Sequence, residues 1–138
     1  MRIMAIDYGD AHTGIAISDP TGFLAGFTTV INAYRPEAVA EQISALAKEH
    51  GVEELVLGHP INMDGTRGPR SEKAQAMKAL LEETTSLPVV LWDERRTTID
   101  AHQILFNSGK NAKKRKKVVD AVAASLVLEG YLTYKKSH

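Results

Sequence analysis

Arg2-Ile3-Met4-Ala5-Ile6-Asp7 opens the chain, and after a glycine-containing turn comes Gly14-Ile15-Ala16-Ile17-Ser18. Both stretches are short and apolar and are bounded by turn residues, the pattern of β-strands. A third lies within Ala25 to Ile31. The connections between the three are short, which predicts an antiparallel meander. That feature decides the fold class, because it separates this chain from a fully parallel nucleotide-binding sheet.

Helical and strand patterns then alternate. Pro36 suits the first turn of a helix that carries Val39, Ile43, Leu46 and Ala47 and stops near Gly51. Leu55-Val56-Leu57-Gly58 reads as a strand buried on both faces. A turn-rich loop, His59 to Arg70, follows, and Ser71 is expected to cap a helix presenting Ala74, Met77, Leu80 and Leu81. Pro88 ends that helix, and Val89-Val90-Leu91-Trp92 forms another buried strand. Thr97 and Asp100 have capping-box spacing for a helix that ends at Gly109. A basic loop then leads to a last helix, Val118 to about Tyr134. The predicted order is β-β-β-α-β-α-β-α-α. Helical crossovers make the last two strands parallel, so the expected fold is α/β, a mixed five-stranded sheet with helices on both faces. No repeat or linker divides residues 1–138, which are expected to form a single domain.

The chain has 138 residues, 43% of them hydrophobic and 25% charged, the composition of an ordinary globular protein. No apolar run approaches the roughly 20 residues of a membrane span. The start lacks a signal-peptide core, and with no cysteine there is neither a disulfide framework nor a thiolate metal site. Cytoplasmic location and no membrane partner are the expectations. The 17 basic and 17 acidic residues cancel, which argues against a uniformly basic nucleic-acid binder. However, Lys110, Lys113, Lys114, Arg115, Lys116 and Lys117 fall close together, so a neutral total can hide a local positive surface.

Two carboxylate positions stand at strand ends: Asp7 after the first strand, Asp93-Glu94 after the last. If those strands are parallel neighbours, their carboxylates emerge on one sheet edge, where open α/β sheets bind ligands. Hard cations such as Mg²⁺ or Mn²⁺ take such oxygen ligands, and paired ions of this kind hydrolyse phosphodiesters. Asp120 is the third candidate. It is the only charged residue between Lys117 and Glu129, in an otherwise apolar helix where an unpaired carboxylate is costly. Each also has a structural reading: Asp7 as a turn former, Asp93 to Arg96 as a solvated charge cluster, and Asp120 as a charge favouring the positive end of its helix.

Four stretches taken together resemble the YqgF family, also called RuvX, a branch of the RNase H-like nucleases. They are Ile6-Asp7-Tyr8-Gly9 with Gly14 to Asp19, Gly58-His59-Pro60-Ile61-Asn62-Met63-Asp64-Gly65-Thr66, Trp92-Asp93-Glu94-Arg95-Arg96-Thr97-Thr98, and Lys116 to Ala124. The resemblance implies an RNase H-like fold and a nuclease attributed to maturation of the 5′ end of pre-16S ribosomal RNA. Family members are also described as resolvases of Holliday junctions. Its acidic triad carries over to Asp7, Glu94 and Asp120, which the resemblance implies hold Mg²⁺ or Mn²⁺. The family commonly has Lys or Arg soon after its Asp-x-Gly, whereas this chain has Asp10-Ala11-His12-Thr13, which puts one phosphate contact in doubt.

Around that triad, Asn62, Arg67 and Arg70 are expected to bind substrate phosphate or base from the loop over the same edge. Arg95 is expected beside Glu94. Lys113, Lys114, Arg115, Lys116 and Lys117 are expected to neutralise phosphates without reading sequence. His59 reads as a loop hydrogen-bonder and Trp92 as core. The expected partner is nucleic acid, either pre-rRNA or branched DNA, bound by a monomer or a homodimer. The rivals are a Holliday junction resolvase, a noncatalytic nucleic-acid-binding module, and an ATP-handling fragment of the sugar-kinase type. The last is disfavoured by the chain's length and by the lack of a P-loop.

Overall fold

A computed structural model describes residues 2–9, 11–19, 25–59, 68–93 and 112–137. The strands are β1 (Arg2–Asp7), β2 (His12–Ser18), β3 (Ala25–Asn32), β4 (Val52–His59) and β5 (Val89–Asp93). The helices are α1 (Pro36–His50), α2 (Pro69–Thr85) and α3 (Ala112–Ser137). The sheet order is β3-β2-β1-β4-β5. β2 is antiparallel to both β1 and β3, while β4 is parallel to β1 and to β5. The meander and the two parallel strands are therefore as the sequence implies. The helix predicted from Thr97 to Gly109 lies outside the described residues.

Proline and left-handed caps set the boundaries of α1 and α2. Proline occupies the first helical position of each, where its missing N–H removes no helical hydrogen bond. Gly51, at φ 67°, closes α1 by donating its N–H to the Ala47 carbonyl. Gly has no Cβ to resist that conformation. Ser86 adopts the same region at φ 59° and donates to the Glu82 carbonyl. Leu87 N–H donates to the Thr85 hydroxyl, so the chain turns directly into β5. Ser71 is not the cap of α2, contrary to the sequence reading. Gly68 is, and its carbonyl accepts from the N–H groups of Ser71 and Glu72.

Strand alternation sorts the core into two layers. Met4, Ile6, Ile15, Ile17, Leu55 and Leu57 pack with Val39 and Ile43 of α1 and Met77 and Leu81 of α2. Ile3, Ala5, Ala16, Val56 and Trp92 pack with Ala124, Val127, Leu128, Tyr131 and Leu132 of α3. Helices thus cover both faces.

The start of α3 differs from expectation. It begins at Ala112, not Val118, so Lys113 to Lys117 are helical and not a loop. Lysine and arginine are good helix formers, and no Gly or Pro interrupts the stretch from Ala112 to Leu128.

Candidate active site at the carboxyl edge of the sheet

Three parallel strands end at one edge. β1 ends at Asp7, β4 at His59 and β5 at Asp93. Ile6 is level with Leu57, and His59 with Asp93. The strands of Asp7 and Asp93 are not neighbours, because β4 lies between them. Two strand spacings put their backbones about 10 Å apart. The shared edge survives; direct adjacency does not.

Asp7 is half-buried and sits opposite Gly14 of β2. Its position has the parity of Ile3 and Ala5, so it belongs to the face covered by α3. Its carboxylate takes no hydrogen bond or ion pair from another described residue. The turn after it is tight: a Cβ on Gly9 would come within 2.4 Å of the His12 carbonyl oxygen. Only glycine fits there. His12 Nδ1 lies 2.6 Å from Asn32 Oδ1, so the imidazole is tied to the neighbouring strand β3.

The other predicted residues divide cleanly. Asp120 lies in α3, the helix that packs across β1, β2, β3 and β4. Lys113, Lys114, Arg115, Lys116 and Lys117 lie in the same helix, upstream of Asp120. Arg70 is in the first turn of α2. Glu94, Asn62, Arg67 and Arg95 lie outside the described residues, as do the side chains of Asp120, Arg70 and the basic run. Among the described residues no cluster of three His, Cys, Asp or Glu side chains forms a metal site. The donor type at the rim nevertheless suits a hard divalent cation, since Asp7, on the α3 face, offers carboxylate oxygens.

The rim also contains a buried polar pair that residue spacing does not reveal. His59 is 6% exposed and Ser71 is fully buried, and His59 Nε2 lies 2.6 Å from Ser71 Oγ. Gln75 Nε2 donates a second hydrogen bond to the same hydroxyl, at 3.3 Å. His59 is the last residue of a strand, not part of a loop, so its side chain turns toward α2 and not outward. The hydrogen-bonding role read from sequence is kept in a different setting.

Trp92 is core, as expected. It is 8% exposed, its ring meets Tyr131 and Tyr134 edge-on, each at 5.8 Å, and Gly130 gives it room. The Tyr131 hydroxyl donates to Glu54, and Lys135 pairs with the same carboxylate at 3.2 Å. Burial, then the Glu54 carboxylate, raise the pKa of the Tyr131 phenol above its ordinary value.

A family profile described as "RuvX: Holliday junction resolvase" matches residues 1–134. A Halothermothrix orenii protein named "Putative pre-16S rRNA nuclease" is 45% identical over 135 residues, covering 98% of this chain and 96% of that protein. A Bacillus subtilis protein of the same name is 43% identical over 134 residues, covering 96% and 97%. Among solved structures, Thermus thermophilus RuvC in complex with a Holliday junction substrate superposes with a TM-score of 0.64. It covers 98% of this chain and 96% of RuvC at 13% identity, a likeness of fold.

Proposed function

The chain belongs to the RuvX family, and on that footing we propose that it is a divalent-metal-dependent nuclease that hydrolyses phosphodiester bonds in maturing the 5′ end of pre-16S ribosomal RNA. The observation that carries the reading is Asp7 at the carboxyl end of β1, on the face that α3 covers. Residues 1–138 act as one nuclease domain, in the cytoplasm. No described helix is long and apolar enough to cross a membrane.

Asp7, Glu94 and Asp120 are the residues that would hold Mg²⁺ or Mn²⁺. Arguments of length and of sequence position support that set. Tyr131 of α3 meets Glu54, which is level with Ile3 of β1. Four residues of strand from Ile3 to Asp7 span about 13 Å, and helix from Tyr131 back to Asp120 spans about 16 Å. A helix running antiparallel to β1 thus has the reach to bring Asp120 level with Asp7. In sequence Glu94 directly follows Asp93, the last residue of β5, at the edge where β1 also ends. A divalent cation held by these residues would supply charge neutralisation at the phosphate and a lowered pKa for the attacking water.

The chain's own residues supply binding and orientation. Asn62, Arg67 and Arg70 contact the substrate near the rim, and Arg95 orients Glu94 or touches phosphate. Lys113 to Lys117 draw in the phosphate backbone.

The test is purified protein with Mg²⁺ or Mn²⁺, offered pre-16S RNA and a four-way DNA junction. Cleavage of the RNA at its mature 5′ end, abolished in Asp7→Asn with RNA binding retained, is the expected result. Cleavage confined to the junction would favour the resolvase reading, which needs two active sites and hence a dimer. An Asp7→Asn protein that cuts as wild type does would remove the catalytic assignment.

A further inference from the structure

The His59–Ser71 pair occupies an informative place. β4 is the strand between the two that carry the proposed carboxylates, and His59 is its last residue, level with Asp93, which directly precedes Glu94. Ser71 belongs to the first turn of α2, next to Arg70. The hydrogen bond at 2.6 Å therefore joins the sheet rim to the start of the helix that carries a proposed phosphate contact. Both partners are almost wholly buried.

Apolar packing would hold these two elements together but would leave their relative rotation loosely set, because dispersion is non-directional. A hydrogen bond fixes direction as well as distance. Gln75, one turn further along α2, reinforces this by donating to the Ser71 hydroxyl, so its orientation is held from two sides. In sequence, residues 59 and 71 flank the stretch that includes Asn62 and Arg67.

We propose that His59 and Ser71 are positioning residues: their buried hydrogen bond sets the first turn of α2 against the rim so that nucleic-acid backbone is received in register with the cleavage site. The proposal deepens the nuclease reading and rests on it. The bond uses Nε2, the ring atom whose place a glutamine amide can take. His59→Gln therefore keeps a polar atom there, while His59→Leu and Ser71→Ala remove one side of the bond.

The experiment measures the Kd of a fluorescein-labelled RNA spanning the pre-16S 5′ end, by anisotropy in EDTA, alongside KM and kcat with Mg²⁺. His59→Leu and Ser71→Ala are expected to weaken Kd and raise KM by about tenfold, with kcat within about threefold of wild type. The double variant should be weaker by less than the sum of the two single effects, since the His59–Ser71 bond is lost in both. His59→Gln should bind within about threefold of wild type. Circular dichroism identifies variants that do not fold; Ser71→Ala and His59→Gln, the milder changes, then carry the test. Binding unchanged in Ser71→Ala, or a glutamine variant as weak as the leucine one, overturns the proposal. Asp7→Asn in the same assays separates the two ideas. Cutting that persists in it defeats the assignment of Asp7 as a catalytic residue, and Kd alone then judges the pair.

Discussion

On the face covered by α1 and α2 the sheet presents Met4, Ile6, Ile15, Ile17, Leu55 and Leu57, all large and aliphatic. On the face covered by α3 it presents Ile3, Ala5, Ala16, Val56 and Trp92, in which two alanines stand beside branched aliphatics and one large aromatic. Large side chains on the first face fill the volume between the sheet and two amphipathic helices, and that burial is the main source of stability. Ala5 and Ala16 on the second let one long helix lie close across several strands, with the Tyr131–Glu54 hydrogen bond and the Lys135 ion pair fixing its far end. The proposed acidic site belongs to this second face.

Four measurements can break or sharpen that contrast. The largest effect is expected on the α3 face without loss of fold: Asp7→Asn should lower cleavage about 10³-fold or more while leaving the thermal midpoint within a few degrees of wild type. An equal fall in stability would mean that Asp7 is chiefly structural. On the opposite face, Leu57→Ala should cost about 2–5 kcal/mol in urea unfolding, through lost burial and a residual cavity, with kcat retained well below the midpoint. A proportionate loss of kcat there would show that the two layers are not separable.

A smaller effect is expected at the anchored end of α3. Tyr131→Phe should cost about 1–2 kcal/mol, because it leaves Glu54 one hydrogen bond short. Because the folded state holds the Tyr131 phenol above its ordinary pKa near 10, its stabilising contribution is complete below that pH. It is lost as pH rises further, when the unfolded chain ionises more readily. Wild type should therefore lose stability more steeply than Tyr131→Phe above about pH 10, as alkaline melting curves would register. The smallest effect concerns the basic run. Replacing Lys113 by Gln should flatten the dependence of log K on log salt by at most about 0.7 for single-stranded RNA, and not at all if that residue faces away.

Much of the fold was legible because local chemistry and tertiary order agree. β1 runs from Arg2 to Asp7 as its apolar stretch implies, and Pro36 and Gly51 bracket α1 as helix-start and helix-stop residues do. The misreadings have physical causes. Ser71 has the chemistry of a cap, but Gly68 followed by Pro69 starts the helix three residues earlier, which turns the serine inward to His59. The basic run looks like a solvated loop in sequence, yet its residues are good helix formers and continue α3 upstream of its apolar part. Asp7 was legible as a strand-end acid. The intervention of β4 between β1 and β5 was not, since strand order is set by crossover handedness and core packing, not by residues at the strand ends.

Sequence by itself determined the meander, the alternation of strands and helices and the family, and it singled out three acidic positions as candidates, because periodicity, turn chemistry and short motifs are local properties of the chain. Tertiary structure alone decided which strand lies between the acids' strands, which face Asp7 shares with α3, and that a histidine and a serine twelve positions apart meet in the interior. Those are facts about three-dimensional neighbours, fixed only when both sides of the sheet are packed at once.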